Sequence, residues 1–220
     1  RPVGGYLLES VIQSGTYLLR WFADRFAAGD AWTLDRWDRQ AARVPAGCEG
    51  LLTVPNWWGV RFPVVADDAR GATLGWSDHH GPAHFYRSLL EGLAFELRGL
   101  IDCYREQFAR RLGRTIRAGG GGTRSRHWPQ ILADVTGAAV EVPAERHSTA
   151  LGAAMLAGVA VGAFADVRAA AGAMVRVCRR LLPEPGRRRL YDALYREVYA
   201  PLRRAAGELA APLRRALGTA

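Results

Sequence analysis

The sequence has 220 residues, with 49% apolar and 23% charged side chains, ordinary proportions for a folded globular protein that exclude fibrous and disordered classes. Its length allows one large domain, or one domain with an extension. All 30 basic residues are arginine, and with 21 acidic residues the formal net charge is +9. A positive charge of this size can indicate a partner such as nucleic acid or an anionic surface, but the excess of alanine and arginine favours a compositional bias of the genome.

The cysteines and the N-terminal residues indicate in which cellular compartment the protein is expected. Cys48, Cys103 and Cys178 are far apart and odd in number, which argues against a disulfide framework and a Cys-x-x-Cys metal site. Residues 1–10 lack the features of a signal peptide. The most apolar window, residues 151–164, is too short to span a bilayer and predicts a helix buried in protein. We therefore predict a reduced, cytoplasmic protein without a membrane partner.

The first part of the chain predicts a helix. Apolar residues recur at helical spacing from about Glu9 to about Gly29, with Gly15 and Thr16 in the middle. A glycine inside a helix costs up to about 1 kcal/mol relative to alanine. Close approach of another backbone or of a ligand would justify it. Residues 30–43 predict a polar helix or loop covering that helix, and residues 45–50 a turn.

Two short strands follow, at residues 50–55 and 72–76, separated by a long aromatic loop. His79 and His80 come next and raise the question of a metal site. Adjacent side chains point in different directions, and we find no third ligand at helical spacing. We therefore predict no metal site in this chain.

A long helix begins at Pro82, and its apolar stripe indicates core packing. A short strand from Thr115 then runs into four consecutive glycines at 119–122, and a helical pattern with Pro129 in its first turn opens after Trp128. A turn of this kind lets a ligand approach bare backbone and the N–H groups of a helix. It predicts a nucleotide site. The alternative is a flexible linker, since the pattern matches neither the Walker motif nor the dinucleotide fingerprint.

A strand at 139–143 and a helix of small residues from Thr149 complete an α/β alternation. Beyond Pro183 the apolar positions repeat along one helical face beside arginine pairs. This segment is either a basic arm for nucleic acid or a partner, or a C-terminal helix packed on the domain with a solvated arginine face. We favour the packed helix. The apolar positions are Leu190, Leu194, Val198 and Leu202.

Together these segments resemble the C-terminal domain of the FGGY family of carbohydrate kinases, over nearly the whole chain and in the family's order. Residues 9–21 resemble the family helix beside the nucleotide, and residues 50–76 its strand, loop and strand. Residues 84–91 (HFYRSLLE) resemble its second sequence pattern, residues 120–135 its adenosine loop, and residues 149–154 (TALGAA) the helix that follows.

The resemblance implies an α/β fold of the actin-like, ribonuclease H-like ATPase type, incomplete here, with residues 1–182 as the kinase domain and 183–220 as a helical extension. It implies ATP and Mg²⁺ as cofactors and a xylulokinase-like protein. Gly121 and Gly122 would face the ribose and phosphates, Arg126 would contact adenine, and Thr16 and Arg20 would flank the pocket. The nucleotide-binding residues implied are Gly15, Thr16, Arg20, Gly120, Gly121, Gly122, Thr123 and Arg126.

The departures from the family limit this expectation. The family's catalytic aspartate belongs to the first domain and its phosphate-gripping Gly-Thr turn opens the second, and neither is in this sequence. Ala66 stands where the family commonly has an aspartate, and Val60 replaces the glutamate of Gly-Glu-Arg. We therefore expect no catalytic residue here and no sugar phosphorylation by these 220 residues alone, whether another segment supplies the rest or the chain is a remnant.

Two functions remain open from the sequence. The first is the nucleotide-binding half of an ATP-dependent carbohydrate kinase, whose sugar or polyol binds through the N-terminal domain and cannot be identified here. The alternative is a non-catalytic interaction domain with a decayed site and a basic tail for a partner or nucleic acid. We do not expect nucleic acid, but we expect self-association through the sheet edge that the family's opening strands cover.

Overall fold

The computed structural model describes residues 8–26, 34–61, 65–108, 113–145 and 147–218. The helices of these residues are α1 (Tyr17–Phe26), α2 (Leu34–Ala41), α3 (Pro82–Phe108), α4 (Trp128–Thr136), α5 (Ser148–Ala160), α6 (Val167–Met174), α7 (Pro185–Ala193) and α8 (Ala200–Leu217). The strands are β1 (Leu52–Val54), β2 (Ala72–Leu74), β3 (Thr115–Arg117), β4 (Ala139–Pro143) and β5 (Val177–Leu181). Short 3-10 turns lie at Cys48–Gly50 and Gly121–Arg124, and a π-helical segment at Leu194–Tyr199 joins α7 to α8.

The strands form two small sheets. β1 and β2 pair antiparallel, with Leu52 opposite Leu74. In the second sheet β3 runs parallel to β4 and β5 runs antiparallel on the other side of β4. β4 is therefore central, and the outer edge of β3 has no partner strand among the described residues. The predicted α/β class, the predicted strands and the long helix from Pro82 are confirmed.

α3 is the centre of the fold. It packs against α1, α2, α4 and β1, and every residue from Phe85 to Glu96 is buried. Burial on all sides means that the apolar stripe read from the sequence understates how much of this helix is core. At Gly92 the backbone of β1 comes so close that a Cβ would lie 2.2 Å from the carbonyl oxygen of Thr53. Only glycine fits there.

The predicted start of the first helix is wrong. α1 begins at Tyr17, and Gly15 has φ of +42°, far from the helical value of about −63°. A helix cannot pass through that conformation, so Gly15 forms the turn that leads into α1, where its carbonyl accepts from the N–H of Leu18 at 3.4 Å. The predicted end near Gly29 lies outside the described residues.

The helices beyond Pro183 pack on the domain through tyrosines. Tyr191 and Tyr199 are completely buried, whereas Leu190 is 40% exposed. These tyrosines share one core with α3. Leu194, Val198 and Leu202, the other apolar positions of the predicted face, are partly buried against the same core. The division of domains at residues 182 and 183 stays a prediction.

The prediction of a buried helix at residues 151–164 is wrong. α5 exposes half of Leu156, and Met155 is its buried residue. An apolar helix is expected to pack against another segment, but its composition does not indicate which segment that is. Among the described residues, α5 packs against α6. No helix in the described part of the chain is long and apolar enough to cross a membrane.

A buried hydrogen-bond network joins α3 to α7. The hydroxyl of Tyr191 donates to Oε1 of Glu91 at 2.7 Å and accepts from Nη2 of Arg87 at 3.1 Å. Nε of Arg87 donates to the same carboxylate at 2.7 Å. Burial, and then the charge of Glu91, raise the pKa of Tyr191 above its usual value, so the hydroxyl stays protonated at neutral pH.

Replacing Tyr191 by phenylalanine tests this network. We expect the free energy of unfolding in urea to fall by about 1–3 kcal/mol, because Arg87 and Glu91 stay buried after losing a partner. Tyr17→Phe is the control, since Tyr17 is 61% exposed, and should change stability by less than about 0.5 kcal/mol. Equal unfolding free energies for Tyr191→Phe and the wild type would contradict the assigned role of the network.

Candidate nucleotide site

The four glycines form an ordered turn at the carboxyl end of β3. Gly120 has φ of +88° and ψ of −173°, a conformation that favours glycine, and the Gly121–Arg124 turn follows it. Oγ1 of Thr123 donates to the carbonyl oxygen of Gly120 at 2.7 Å and closes this turn. The glycine run is therefore a shaped turn, which argues against the flexible-linker alternative.

Neighbouring elements hold the turn on both sides. From β5, Nη2 of Arg179 donates to the carbonyl oxygens of Thr123 at 2.7 Å and of Ser125 at 3.4 Å. Oγ of Ser125 accepts from the N–H of Trp128 at 2.8 Å and donates to the carboxylate of Asp38 on α2. These contacts connect the turn, α2 and the first turn of α4.

A cavity of about 450 Å³ opens on one side of the turn, a volume typical of small-molecule sites. Of the residues implied by the family resemblance, Arg20, Gly121 and Gly122 line it. Thr16 is adjacent, because a Cβ on Gly122 would lie 3.3 Å from its Cγ2. The cavity is lined by Leu19, Arg20, Ala23, Asp24, Leu34, Asp35, Asp38, Tyr86, Leu90, Gly121, Gly122, Arg124, Ser125 and Trp128.

The other implied residues lie elsewhere. Gly15 forms the turn into α1, and Thr123 is buried within the glycine turn. Gly120 lines a second hollow. Arg126 is exposed and does not line the cavity, whereas Arg124 does. The sequence shows two arginines two residues apart, and the 3-10 geometry of the turn decides which of them faces the cavity.

The second hollow lies where the parallel strands β3 and β4 end, the usual place for ligands in α/β sheets. Its polar side chains come from β3, from the glycine turn and from the start of α5. A Cβ on Gly119 would lie 2.3 Å from Oγ of Ser148, so a larger residue there would displace the Ser148 side chain. Gly121 and Arg124 line both the cavity and the hollow. The polar side chains of the hollow are Arg117, Arg124, His147, Ser148 and Thr149.

The two spaces differ in chemistry. The cavity has aromatic walls, Tyr86 and Trp128, and three aspartates among its lining residues. Burial, followed by the charges of Asp38 and Asp35, raises the pKa of Tyr86 above its usual range, so it stays a hydrogen-bond donor. The hollow has two arginines and no acidic residue among its described lining residues, which suits an anion.

Sequence reasoning missed several lining residues. Asp38, Tyr86 and Ser148 come from separate helices far apart in the chain, and no local pattern marks them. The position of Ser125 could have been inferred, because a serine three residues before the first residue of a helix, here Trp128, commonly accepts a hydrogen bond from its backbone N–H.

The histidines have a neighbour that helical spacing does not reveal. Oε2 of Glu49 lies 3.4 Å from Nε2 of His79 and 3.2 Å from Nε2 of His84, so a carboxylate that could act as a metal ligand lies beside His79. Glu49 belongs to a turn 30 residues upstream of His79, where helical spacing could not reveal it.

The comparisons identify the class of protein. The sequence model described as the FGGY family of carbohydrate kinases, C-terminal domain, matches residues 2–161, and the chain belongs to this family. Among its relatives, xylulose kinase of Bacillus subtilis is 30% identical over 88% of this chain and 38% of its own length. Glycerol kinase of Cereibacter sphaeroides is 34% identical over 71% of this chain and 31% of its own.

The solved structures agree. The crystal structure of xylulose kinase from Rhodospirillum rubrum matches with a TM-score of 0.72 and 32% identity, over 86% of this chain and 38% of that one. The predicted actin-like ATPase fold with a C-terminal helical part is confirmed. The chain spans less than two fifths of the length of these relatives.

The hydrogen bonds from Arg179 to the glycine turn generate a stability prediction. Arg179→Ala should lower the free energy of unfolding by about 1–2 kcal/mol, because the partly buried carbonyl oxygens of Thr123 and Ser125 lose a charged donor. It should also speed amide hydrogen exchange at residues 121–125. Arg180→Ala, whose side chain is exposed on the next position of β5, is the control and should leave both quantities near the wild type. Unchanged amide hydrogen exchange in Arg179→Ala would show that the turn is ordered without the hydrogen bonds from Arg179.

Proposed function

We propose that this chain is the nucleotide-binding part of an ATP-dependent carbohydrate kinase, which transfers the γ-phosphate of ATP to a hydroxyl of a sugar or polyol. The observation that carries the proposal is the glycine turn itself, because Gly121 and Arg124 line an aromatic cavity on one side and a cationic hollow on the other. A nucleoside triphosphate has the same two halves, a planar base and a polyanion.

The residues present fit a nucleotide. In the proposed arrangement the base lies against Trp128 and Tyr86, and the carboxylate of Asp38 or Asp35 accepts from ribose hydroxyls or the exocyclic amine. The polyphosphate crosses the bare backbone of Gly121 toward the second hollow. A side chain at Gly121 would enter that path, since a Cβ there meets nothing within 4 Å.

The remaining implied residues have supporting roles in this proposal. Thr16 and Arg20 bound the base side, where Arg20 is an exposed partner of Asp24 at 3.4 Å. Gly120 and Thr123 set the shape of the turn. Gly15 positions α1, and Arg126 stays a proposed contact from the rim of the site.

Phosphoryl transfer depends mainly on positioning and on stabilising the charge of the transferring group. The guanidinium groups that this chain offers at the hollow are those of Arg124 and of Arg117, and Arg117 is already paired with Glu141 at 3.3 Å, so Arg124 is the principal donor. Mg²⁺, when bound to ATP, neutralises phosphate charge, and it prefers oxygen ligands such as carboxylates. The described residues that line the hollow include no carboxylate, and the nearby carboxylate of Glu141 pairs with Arg117, so we propose that the phosphates and residues outside the lining hold the ion.

The acceptor class follows from the relatives, whose names specify xylulose and glycerol. We propose a sugar or polyol of the xylulose type, bound by the part of the relatives that this chain does not span. The free edge of β3 and the exposed face of α5 are then the surfaces that this part covers. Self-association through the same edge stays a prediction.

The alternative of a nucleic-acid-binding tail gains no support from the contacts of the C-terminal helices. Two of their arginines pair with acidic groups of the domain: Arg203 with Glu96 at 2.7 Å, and Arg214 with Asp68. Such pairs neutralise the charge that would otherwise face a phosphate backbone.

A valine at Gly121 tests the nucleotide site. Its side chain would occupy the nucleotide's path in open space, so we expect normal folding and at least about tenfold weaker ADP binding by isothermal titration, or about 1.4 kcal/mol. Gly172→Val is the matched control, because a Cβ there also meets nothing within 4 Å and α6 lines neither space. Equal affinity of both variants for ADP would refute the site.

We further propose that catalysis needs groups that these 220 residues do not supply. We expect no ADP release above the protein-free rate when the chain is incubated with ATP, Mg²⁺ and xylulose or glycerol in a coupled assay. Nucleotide binding is measured separately, by the titration of Gly121→Val with ADP, so the result of this assay bears on catalysis alone. Sugar-dependent ADP release would overturn the expected inactivity without affecting the proposed nucleotide site.

A further inference from the structure

A cluster of three histidines and one glutamate lies at the N-terminal end of α3. Glu49 belongs to the Cys48–Gly50 turn before β1, His79 and His80 to the loop between β2 and α3, and His84 to the first turn of α3. None of them lines the cavity or the hollow of the nucleotide site. The cluster is therefore independent of the proposed function.

The ligand atoms converge. One atom each from Glu49, His79 and His80 lie within 4.8 Å of one another. Nitrogen and oxygen ligands of zinc lie about 2.0–2.2 Å from the ion, so in a tetrahedral site they are roughly 3.3 Å apart. The 3.4 Å between Nε2 of His79 and Oε2 of Glu49 matches that spacing.

Hydrogen bonds around the cluster orient its members. The N–H of Gly81 donates to Nδ1 of His84 at 3.2 Å, so the hydrogen of His84 is on Nε2, which donates to Oε2 of Glu49 at 3.2 Å. His84 therefore positions the carboxylate and is not itself a ligand. Neighbours that orient a ligand in this way are typical of metal sites.

Ser77 acts on the other two rings. Its Oγ lies 2.8 Å from Nδ1 of His79, so it can accept a hydrogen from that ring and leave Nε2 of His79 for an ion. The N–H of Ser77 donates to Nδ1 of His80 at 3.0 Å, which places the hydrogen of that ring on Nε2. Ligation by Nε2 of His80 therefore requires this contact to break and the hydrogen to move to Nδ1, from which Oγ of Ser77, at 3.2 Å, can accept it.

Two further features single out the cluster. Nε2 of His80 is shielded from solvent and has no hydrogen-bond partner within the described ranges, although buried polar atoms normally have one. Cys48 and Glu49 have φ of 50° and 53°, left-handed values that are rare for residues other than glycine. Backbone strain of this kind concentrates at functional sites.

We propose that Glu49, His79 and His80 form a binding site for a divalent transition metal of the zinc class, with water completing the coordination. Two imidazoles and one carboxylate suit Zn²⁺ and are poor ligands for Mg²⁺. His79 is 54% and Glu49 43% exposed, so an ion can enter from solvent. The bound ion joins the turn before β1 to the loop that leads into α3.

The test is a titration of the untagged 220-residue chain, freed of metal with a chelator, with zinc chloride in a calorimeter. We expect one Zn²⁺ per chain and no heat from magnesium chloride at the same concentrations. Glu49→Gln and His79→Asn should each weaken zinc binding at least tenfold, because each removes one of three ligands. His147→Asn is the control, since His147 lies outside the cluster, and should bind zinc as the wild type does.

A second readout keeps the test decisive if one variant folds poorly, which circular dichroism would show. Zinc should raise the midpoint of thermal unfolding of the wild type and of His147→Asn, because binding to the folded state stabilises it by mass action. The midpoint of His79→Asn should not respond. Absence of zinc binding to the wild type, or equal binding by wild type, Glu49→Gln and His79→Asn, would overturn the proposal.

Discussion

The structure depends on charged side chains buried along α3 and on the tyrosines that pair with them. Arg87, Glu91 and Glu96 are less than a tenth exposed, so each needs a partner inside the protein. Tyr191 and Tyr199 supply those partners from the C-terminal helices, with oxygen–oxygen distances of 2.7 and 2.8 Å. A leucine at either position would fill space but remove one hydrogen bond from a buried carboxylate, leaving Arg87 on Glu91 and Arg203 on Glu96. The C-terminal helices therefore belong to the core.

The same helix links the core to the site. Tyr86 is adjacent in sequence to the buried Arg87 and lines the cavity beside the glycine turn. On the far side of the turn, Arg179 and Ser125 connect it to β5, α4 and α2. A turn of four glycines is costly to order because glycine has the largest conformational entropy in the unfolded chain. The surrounding hydrogen bonds supply that order, so the backbone is in place before a ligand arrives.

Under the proposed function, one other part of the protein would cover both the exposed apolar face of α5 and the edge of β3 that has no partner strand among the described residues. The relatives are more than twice as long as this chain, and apolar helix faces and open strand edges are stable when another segment covers them. The polar surface around Glu49 and the three histidines differs in kind, because its members already contact one another.

The sequence by itself determined the order and type of most elements, the family and the position of the glycine turn, since helical and strand periodicity, capping and turn composition act between residues close in the chain. Only the tertiary structure decided that Gly15 precedes α1, that Arg124 rather than Arg126 lines the cavity, that Tyr191 and Tyr199 are the buried anchors, and that Glu49 meets His79. Each of these depends on a backbone conformation or on residues distant in the chain that become neighbours through packing, and no local pattern encodes such distances.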